Sequence, residues 1–497
     1  MNVLAFSRDG VAECARRIRE PVHLVSGEEE DLGLVIGEVR GGSPIVGTLP
    51  PLYPEWLGDR SFCTSHGTRF PYAAGEMANG VATTAMVAAM ARAEMLAFFG
   101  ASGLSLAQVE GAVAELAAAV GCRPNWGVNL AAGPTEDAVV DLLLAYGVPC
   151  VSVSGFTALT PAVVRCSAVG LSRDPEGRIQ RRTKLFAKVS SPELAERFLS
   201  PAPPRALREL VHSGQITAEE AELAALVPVA EDVTAASGSA RPLMSLLPAI
   251  LALRDELAAR HAYPRPVRVG AAGGLGTPQS VAAAFTLGAD YVVTGSVNQA
   301  AVESGLSAAG KRLLADADLA DTVLAPRSVG FERGEQAQVL SKGTRFAERA
   351  TRLHELYRNH HSLEDLPPAE RAELEHGILG RPVADVLAEV ADARAIIDAR
   401  HRMALVFRWY LDTSRLWAVH GDPEREEDYQ LRCGPAMGAF NRWTRGTFLA
   451  EQDNRSVVQI ALNLLEGAAV VTRAQQLRGY GVPVPTSAFA FPPRELA

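Results

Sequence analysis

The strongest chemical signal in this sequence is a glycine-rich turn between a strand and a helix. VRVGAAGGLGTPQSVAAAF (267–285) has Thr277 where an N-cap is expected and Pro278 in the first helical turn. Gly273 and Gly274 would let the backbone approach a ligand closely, and the free N–H groups and dipole of a helix start favour an anion. The segment predicts a phosphate site, with an ordinary tight turn as the alternative.

A second turn of the same kind follows along the chain. DYVVTGSVNQ (290–299) places Thr294, Gly295 and Ser296 at the end of another apolar run. Turns after consecutive strands hold a phosphate in many (β/α)8 barrels, at the seventh and eighth strands. The glycine spacing is not G-x-G-x-x-G, which disfavours a Rossmann dinucleotide site.

Three further side chains at predicted strands could contact a planar ligand. Asn129 closes WGVNL, Lys188 lies in FAKVS, and Met77 follows the first predicted barrel strand. An amide and an ammonium could meet an electron-rich ring, and a methionine could pack beneath it. Lys188 needs a partner, because an unpaired charge within an apolar strand is costly. A turn cap for Asn129 and a core position for Met77 are the alternatives.

The segment AEDVTAASGSARPL (230–243) contains only small residues between Asp232 and Arg241, although it resembles a strand that runs into an active-site loop. No histidine occurs between His212 and His261. Ser237 lacks the G-x-S-x-G context and a neighbouring base, so the sequence gives no support for a serine hydrolase.

These residues require a scaffold of repeated strand–helix units. Short apolar runs ending in Gly, Ser or Asn alternate with helical patterns, which indicates a parallel sheet buried on both faces. Eight such units predict an α/β fold, a (β/α)8 TIM barrel with its chemistry at the carboxyl ends of the strands. The predicted strands lie within residues 70–80, 95–103, 126–133, 149–155, 184–191, 230–238, 267–276 and 290–299.

Segments outside the minimal barrel complete the predicted organisation. We expect an N-terminal strand-and-turn extension over 1–58, the barrel over 59–330 and a helical C-terminal region over 331–497. Residues 172–184 resemble a charged hairpin, and 191–229 form an insertion with two helical patterns, PELAERFL and TAEEAELAAL. Residues 337–357, beginning AQVLSKGTRF, are expected to be helical, with Pro/Gly breaks at RCGPAMGAF and GYGVPVPTSAF.

Composition excludes several classes of protein. A net charge of −9 argues against a nucleic-acid binder, and the apolar stretches are interrupted by charges, so we expect neither a nucleic-acid nor a membrane partner. No basic segment followed by an apolar core opens the chain, so we expect no secretory signal. Six cysteines without a C-x-x-C pair are typical of reduced thiols in a cytoplasmic protein and indicate no metal framework.

Blocks along most of the chain carry a family resemblance. From about residue 40 onward the sequence resembles the PfaD family. The blocks that carry the resemblance are LPPLYPEWLGD, MANGVAT, GVNL, VRVGAAGGLGTP, VVTGSVNQA, LVFRWYL, CGPAMGAFNRW and NRSVVQIALNLLEGAAVVTRAQQLR. Members of that family are trans-acting enoyl reductases of polyketide and polyunsaturated fatty acid synthases, with a barrel similar to 2-nitropropane dioxygenase.

The resemblance implies FMN as the phosphate ligand and NADPH as its reductant. Hydride would pass to the β-carbon of an enoyl thioester on an acyl carrier protein, within a polyketide synthase complex, and a homodimer is a further expectation. The residues implied to hold the phosphate are Gly273, Gly274, Gly295 and Ser296, with Thr294 beside them. Those implied to lie against the isoalloxazine are Met77, Asn129 and Lys188.

This sequence departs from the family at two places. Relatives are expected to carry a Gly-Gly-His-type segment after the sixth strand, whereas 230–243 is shorter and lacks the histidine that is the usual acid/base candidate. Glu76 stands in AGEMANG where a small residue would be ordinary. A carboxyl group buried beside a flavin could have a raised pKa and donate a proton, and Lys188 is the second catalytic candidate. A surface-pointing carboxylate is the alternative for Glu76.

Three functions therefore stay open. The chain could be an active FMN enoyl reductase, a flavoenzyme diverted to dehydrogenation, isomerisation or another tailoring reaction, or a catalytically silent scaffold of the synthase. The retained glycine turns favour flavin binding under each of them.

A small basic cluster offers a hypothesis for the carrier protein. Arg178, Arg181, Arg182 and Lys184 stand close together in an acidic chain and could dock an acidic acyl carrier protein. A solvated loop is the alternative.

Overall fold

The structure is a computed structural model that describes residues 3–5, 7–26, 32–37, 44–238, 241–390 and 398–497. The chain forms two compact units, one made of Met1–Ser304 with Trp443–Ala497 and the other of Gly305–Arg442. The segment boundaries at residues 58 and 330 stay predictions.

The strands and helices are numbered in chain order. The strands are β1 (Val3–Ala5), β2 (Val22–Ser26), β3 (Leu32–Ile36), β4 (Ile45–Leu49), β5 (Tyr72–Ala74), β6 (Leu96–Phe99), β7 (Trp126–Ala131), β8 (Cys150–Ser154), β9 (Ser172–Arg173), β10 (Ile179–Gln180), β11 (Lys184–Val189), β12 (Asp232–Ala236), β13 (Arg268–Ala272), β14 (Val292–Thr294), β15 (Thr322–Pro326) and β16 (Gln336–Leu340). The α-helices are α1 (Arg8–Arg16), α2 (Arg60–His66), α3 (Thr84–Arg92), α4 (Leu106–Val120), α5 (Glu136–Ala145), α6 (Pro161–Ala168), α7 (Pro192–Leu199), α8 (Pro204–His212), α9 (Ala218–Ala224), α10 (Leu243–Arg260), α11 (Pro278–Thr286), α12 (Ala308–Ala315), α13 (Phe346–Asn359), α14 (Pro368–Ala372), α15 (Val383–Val390), α16 (Ala399–His420), α17 (Ala436–Thr444) and α18 (Val457–Gly479).

The first unit is built on a closed parallel barrel. Within the described residues it consists of β5, β6, β7, β8, β11, β12, β13 and β14, and β14 pairs with β5 to close it. Each of these strands lies within one of the eight predicted segments, so the (β/α)8 prediction is confirmed. The strands are buried on both faces because the helices cover the outside and side chains fill the inside.

The inside of the barrel is filled by aromatic rings. Phe62 of α2 stacks on Tyr291 with 4.5 Å between ring centroids, and Phe186 of β11 meets Phe98 of β6 edge-on at 5.0 Å. These rings lie between the amino-terminal face of the barrel, where the strands begin, and the carboxyl-terminal face, where they end. The barrel is therefore a packed core rather than a channel.

The N-terminal segment and the last long helix complete this unit. Strands β1–β4 form an antiparallel sheet, and the segment also contains α1, which the strand-and-turn prediction did not include. Buried residues of α1, β2 and β3 share one hydrophobic core with Ala474 and Leu477 of α18. Helix α18 is long and apolar enough to cross a membrane, but 78% of its most apolar window is buried inside the protein, as in a core helix.

The inserted segments before and after β11 differ partly from expectation. Residues 172–184 form the predicted hairpin, because β9 and β10 pair antiparallel. The 191–229 insertion contains α7 and α9 at the two predicted patterns, and α8 between them. Helix α8 begins at a proline run that looks like a linker in sequence but suits a helical first turn.

The second unit corrects the helical prediction for residues 337–357. Its first part is strand β16, which pairs antiparallel with β15 and places Val323 opposite Val339. Short apolar runs fit a helix or a strand equally well, and the neighbouring strand decides. Helix α13 begins only at Phe346, and α17 begins within the segment RCGPAMGAF that was expected to be a break. Within the predicted helical C-terminal region, residues 391–397 lie outside the described residues.

Candidate functional site

A carboxylate, an ammonium and a hydroxyl meet at the carboxyl-terminal face of the barrel. Lys188 Nζ donates to Glu76 Oε1 at 3.1 Å, and Ser152 Oγ donates to Glu76 Oε2 at 2.9 Å. The Glu76 side chain is 5% exposed and that of Lys188 is 36% exposed. Glu76 is thus a buried, paired carboxylate rather than a group that points to solvent, and Lys188 has the partner that its position requires.

The turn after β5 places Glu76 above the barrel interior. Gly75 N donates to Thr294 O at 2.7 Å, which ties the start of the turn to β14. Met77 follows, and its carbonyl lies so close to Gly100 that a Cβ there would overlap it. A glycine at position 100 therefore allows the turn to pack against the end of β6.

Asn129 links two strands beside this group. Its Nδ2 donates to Ser152 O at 3.0 Å and to Ser154 Oγ at 2.9 Å, and the residue is 2% exposed. The amide therefore holds β7 against β8 at the level of Ser152 instead of capping a turn. Whether Asn129 and Met77 lie against a flavin stays a prediction.

The glycine turn after β13 leaves open space above its backbone. Gly273 has φ +95°, and a Cβ there would overlap Ser237 Oγ, so the turn and the end of β12 can approach each other only at a glycine. Gly274 has φ +75°, and no described heavy atom lies within 4 Å of its Cβ position. Thr277 Oγ1 accepts from Ser280 N at 3.3 Å, which makes it the predicted N-cap of α11.

The turn after β14 has the same open character at Gly295, where a Cβ would meet no described atom within 4 Å. The Thr294 side chain instead points toward buried residues. Its hydroxyl hydrogen-bonds to the buried Tyr72 and accepts from Asn298 Nδ2 at 3.0 Å. Burial raises the pKa of Tyr72 to about 12, so this phenol stays protonated. The Thr294 side chain thus fixes the turn, and Gly295 and Ser296 are the members of the turn nearest the open space.

The loop after β12 carries little that could move a proton. Ser237 N donates to Ala272 O at 2.9 Å, and Gly238 N donates to Arg241 O at 3.3 Å. Arg241 is exposed, and its Nη1 lies 3.5 Å from Ser190 O at the end of β11. Ser239 and Ala240, which belong to the predicted short loop, lie outside the described residues.

Ser152 is a site residue that the sequence reasoning missed. It lies in the predicted strand PCVSVSG, and β7–β8 pairing sets it directly opposite Asn129. The signal was a polar side chain in an otherwise apolar buried strand, on the same alternating face as a residue already chosen. Its hydrogen bond to Glu76 depends on the fold, which brings the two residues together.

A second group of charged residues closes the amino-terminal face of the barrel. His66 Nε2 lies 2.8 Å from Asp232 Oδ2, and Arg268 donates to both oxygens of Asp232, at 2.5 and 3.1 Å. Burial alone would raise the pKa of Asp232, but the adjacent His66 and Arg268 outweigh it and hold that pKa well below its usual range. Burial lowers the pKa of His66, and the nearby Arg268 and Lys184 cations lower it further, although Asp232 alone would raise it.

The four basic residues within 178–184 differ in exposure: Arg178 and Arg182 are exposed, whereas Arg181 and Lys184 are partly buried. Arg181 is 6% exposed and pairs with Glu231 at 3.3 Å, Lys184 donates to the backbone of Ser65, and Arg178 pairs with Asp174 at 2.7 Å. The segment precedes β11, so it lies at the amino-terminal face, with the aromatic core between it and Lys188. The predicted role of this cluster in docking a carrier protein stays a prediction, and only Arg178 and Arg182 expose their side chains enough to contribute to it.

Comparison with known proteins finds similarity to proteins of polyketide and polyunsaturated fatty acid synthesis. Residues 360–429, in the second unit, match the family described as acyl-carrier-protein S-malonyltransferase, inserted helical domain. The chain is 39% identical over 433 residues to polyketide biosynthesis protein PksE of Bacillus subtilis (strain 168), which covers 84% of this chain and 56% of PksE. It is 41% identical over 448 residues to a component of the polyunsaturated fatty acid synthase of a Thraustochytrium species, covering 85% of this chain and 30% of that protein. The chain thus spans about half or less of the length of these curated relatives.

A solved structure matches the whole architecture. The crystal structure of the enoyl reductase domain of MlnA, from the macrolactin biosynthesis cluster of Bacillus amyloliquefaciens, is 33% identical and superposes with a TM-score of 0.82. The match covers 85% of this chain and 100% of that domain. Because both sequence and fold agree over the entire domain, the chain belongs to the same family as the enoyl reductase domain of MlnA.

Proposed function

We propose that this chain is a PfaD-type, FMN-dependent enoyl reductase that acts in trans on α,β-unsaturated acyl thioesters carried by an acyl carrier protein, with NADPH as the reductant. Membership of the MlnA enoyl reductase family supports the reaction class. The relationship to polyketide and polyunsaturated fatty acid synthase proteins supports a synthase in the cytoplasm as the setting.

The observation that carries the proposal is the pair of open glycine turns at the same barrel face as the Lys188 cation. Gly274 and Gly295 expose backbone with no side chain above it, at the two strands where this fold holds phosphates. Lys188 is the half-buried cation of the same face. A mononucleotide fits this arrangement, because its phosphate requires close backbone approach and its ring requires a flat space near polar strand ends.

Residues on this face would have separate roles in cofactor binding and in the reaction. Gly273, Gly274, Gly295 and Ser296 would hold the phosphate. Met77 and Asn129 would border the ring, with Thr294 fixing the second turn from below. FMN, when bound and reduced by NADPH, supplies a hydride to the β-carbon of the enoyl thioester. The α-carbon then needs a proton from this chain or from water.

Anaerobic spectroscopy of the full chain tests the proposal. We expect the purified protein to bind FMN with a flavin absorbance band, to lose that band on addition of NADPH and to regain it when a 2-enoyl acyl carrier protein is added. A saturated acyl carrier protein is the matched control and should not restore the band.

Two other outcomes have distinct meanings. A protein that cannot be loaded with FMN would contradict every flavin reaction and favour a scaffold role. Flavin that is bleached by the saturated acyl carrier protein instead of NADPH would contradict the reductase and indicate a dehydrogenation, the reaction of a diverted flavoenzyme.

A further inference from the structure

Lysine is scarce in this chain, and one lysine stands at the site. Four of the 48 basic residues are lysines, at positions 184, 188, 311 and 342, and all the others are arginines. An arginine guanidinium keeps its proton at any pH that proteins tolerate, whereas a lysine ammonium can give one up. A lysine at the reacting face can therefore supply a proton that an arginine at the same position could not.

The hydrogen bonds around Lys188 fix which group holds that proton. Glu76 accepts from Lys188 and from Ser152, one donor on each oxygen, which is the pattern of an ionised carboxylate. The carboxylate is almost fully buried, whereas Lys188 is about one-third exposed. The proton therefore sits on the nitrogen, and the nitrogen is the member of the pair that reaches the open face.

Other groups of this face are less suited to protonate carbon. Arg241 is a guanidinium and does not release a proton. Ser237 is a hydroxyl, a far weaker acid than an ammonium. Tyr72 is committed to Thr294 and buried, with a pKa raised to about 12.

We propose that the Lys188 ammonium is the general acid that protonates the α-carbon of the substrate, and that Glu76 and Ser152 are positioning residues that hold the ammonium toward the reacting face. The proposal deepens the enoyl reductase function and rests on it. It assigns to Lys188 the role that relatives are expected to give to a histidine after the sixth strand, and it makes Glu76 the partner of the acid rather than the acid.

The step balances in atoms and charge. A hydride from the reduced cofactor forms a C–H bond at the β-carbon, and the electron pair of the C=C bond moves toward the α-carbon and the thioester oxygen. One N–H bond of Lys188 breaks as a C–H bond forms at the α-carbon. The neutral amine then regains a proton from water, to which Lys188 is partly exposed. The sum is one hydride from NADPH and one proton from solvent added across the double bond.

Two substitutions at Lys188 separate acid catalysis from charge. Lys188→Met removes the charge and the proton, and Lys188→Arg keeps a cation beside Glu76 that cannot release its proton. The measurement is the rate of flavin reoxidation by the enoyl acyl carrier protein divided by the rate of reoxidation by ferricyanide, which needs no protonation of carbon. We expect both variants to lower this ratio by about a hundredfold or more, the lower end of what general acid catalysis contributes. A Lys188→Arg ratio within about threefold of the unsubstituted protein would show that Lys188 supplies only charge and would overturn the proposal.

A second readout tests the positioning residues without turnover. Trace acetic anhydride acetylates only deprotonated amines, and mass spectrometry compares Lys188 with Lys342 in the same sample. Glu76→Gln removes the carboxylate that accepts the hydrogen bond from Lys188 Nζ, so acetylation of Lys188 relative to Lys342 should rise. Ser152→Ala should raise it by a smaller factor. Ser154→Ala, on the same strand but bonded to Asn129, is the matched control and should leave it unchanged.

The outcomes distinguish a failure of this inference from a failure of the proposed enoyl reductase function. If FMN binds and NADPH reduces it but acetylation of Lys188 does not respond to Glu76→Gln, the positioning role is wrong and the reductase stands. If the unsubstituted protein is never reoxidised by the enoyl substrate, the proposed function itself fails, whatever Lys188 does.

Discussion

Asp232 lies at the opposite end of the barrel from Lys188, and the contrast shows what a charged residue does in each place. Asp232, His66 and Arg268 are buried, and their polar atoms bind mainly one another. A charged group at the face where strands begin serves the fold, because chemistry in these barrels belongs to the other face. The Asp232 carboxylate is therefore expected to matter for stability and not for turnover.

Replacing Asp232 by asparagine should destabilise the first unit strongly. Arg268 would keep its charge in a buried site and lose its pair with Asp232, retaining only the ion pair with Glu231 at 3.0 Å. Complete loss of a buried partner costs about 3–5 kcal/mol, so the retained pair sets this as the upper range. Asp255→Asn is the matched control, because that carboxylate is exposed and pairs with Arg254 at the surface, where a pair contributes at most about 1 kcal/mol. Chemical denaturation measures the free energy of unfolding of both variants. Equal losses of that free energy in the two variants would contradict a stabilising role for the buried Asp232 carboxylate.

His66 should make stability depend on pH in the mildly acidic range. Its pKa is lowered in the folded protein, so below pH 6.5, the value of a free histidine, the unfolded chain binds a proton that the folded chain refuses. The contribution of His66 to the free energy of unfolding should therefore fall as pH drops below about 6.5, with a slope approaching about 1.4 kcal/mol per pH unit.

The comparison with His66→Gln isolates that contribution. Glutamine keeps an N–H donor for Asp232 but does not titrate, so the slope between about pH 6.5 and 5 should be smaller in the variant. Asp290, whose pKa burial raises to about 6, titrates in the same range with the opposite sign, and it cancels in the difference because both proteins contain it. Identical slopes would mean that folded His66 takes up a proton as readily as the unfolded residue.

At the level of elements, the glycine turn after β13 offers a direct test of ligand approach. Gly274→Ala places a methyl group in the open space and imposes the cost of a positive φ, about 1–2 kcal/mol. Gly214→Ala, between α8 and α9, imposes a similar backbone cost at φ +71° with equally open surroundings. We expect similar losses of stability from both, and FMN binding weakened by about tenfold or more only by Gly274→Ala. Titration with FMN and thermal unfolding provide the two measurements.

The elements show what could be predicted from the sequence and what could not. Barrel strands and the N-cap at Thr277 were predictable, because short apolar runs, glycine turns and capping residues are local signals. Strand β16 was not, because its assignment depends on pairing with β15. The contact of Glu76 with Lys188 could not be predicted from the sequence either, because it joins residues more than a hundred positions apart that only barrel closure brings together. The two residues were predicted separately, Lys188 from its charge within an apolar strand and Glu76 as a departure from the family pattern.

At the scale of the whole molecule, the barrel interior is layered. Charged residues close the amino-terminal face, aromatic rings fill the middle, and Asn129, Ser152, Glu76 and Lys188 line the carboxyl-terminal face. The apolar layer separates the two polar groups, so substitutions in one are expected to be additive with substitutions in the other.

The second unit has its own core and should fold by itself. Phe331, Phe346, Phe407 and Tyr410 belong to one buried cluster within Gly305–Arg442. Asp428 joins this core through a hydrogen bond from Tyr410 at 2.6 Å and an ion pair with Arg349. A fragment of residues 305–442 is expected to show a helical circular dichroism spectrum and one cooperative thermal transition. A broad transition or aggregation would show that this core depends on the rest of the chain.

The first unit is discontinuous in sequence, and this has a consequence for how the protein is made. The core shared by α1, β2 and β3 needs Ala474 and Leu477 of α18, which leave the ribosome long after β14 has been synthesised. At about 5–20 residues per second, the nascent barrel waits on the order of ten to forty seconds with that apolar surface uncovered. During this interval the second unit can already fold, whereas the first unit depends on chaperones to stay out of aggregates. Expression at reduced temperature, or with trigger-factor-like holdases in excess, should therefore raise the yield of intact protein more than it raises the yield of residues 305–442 alone.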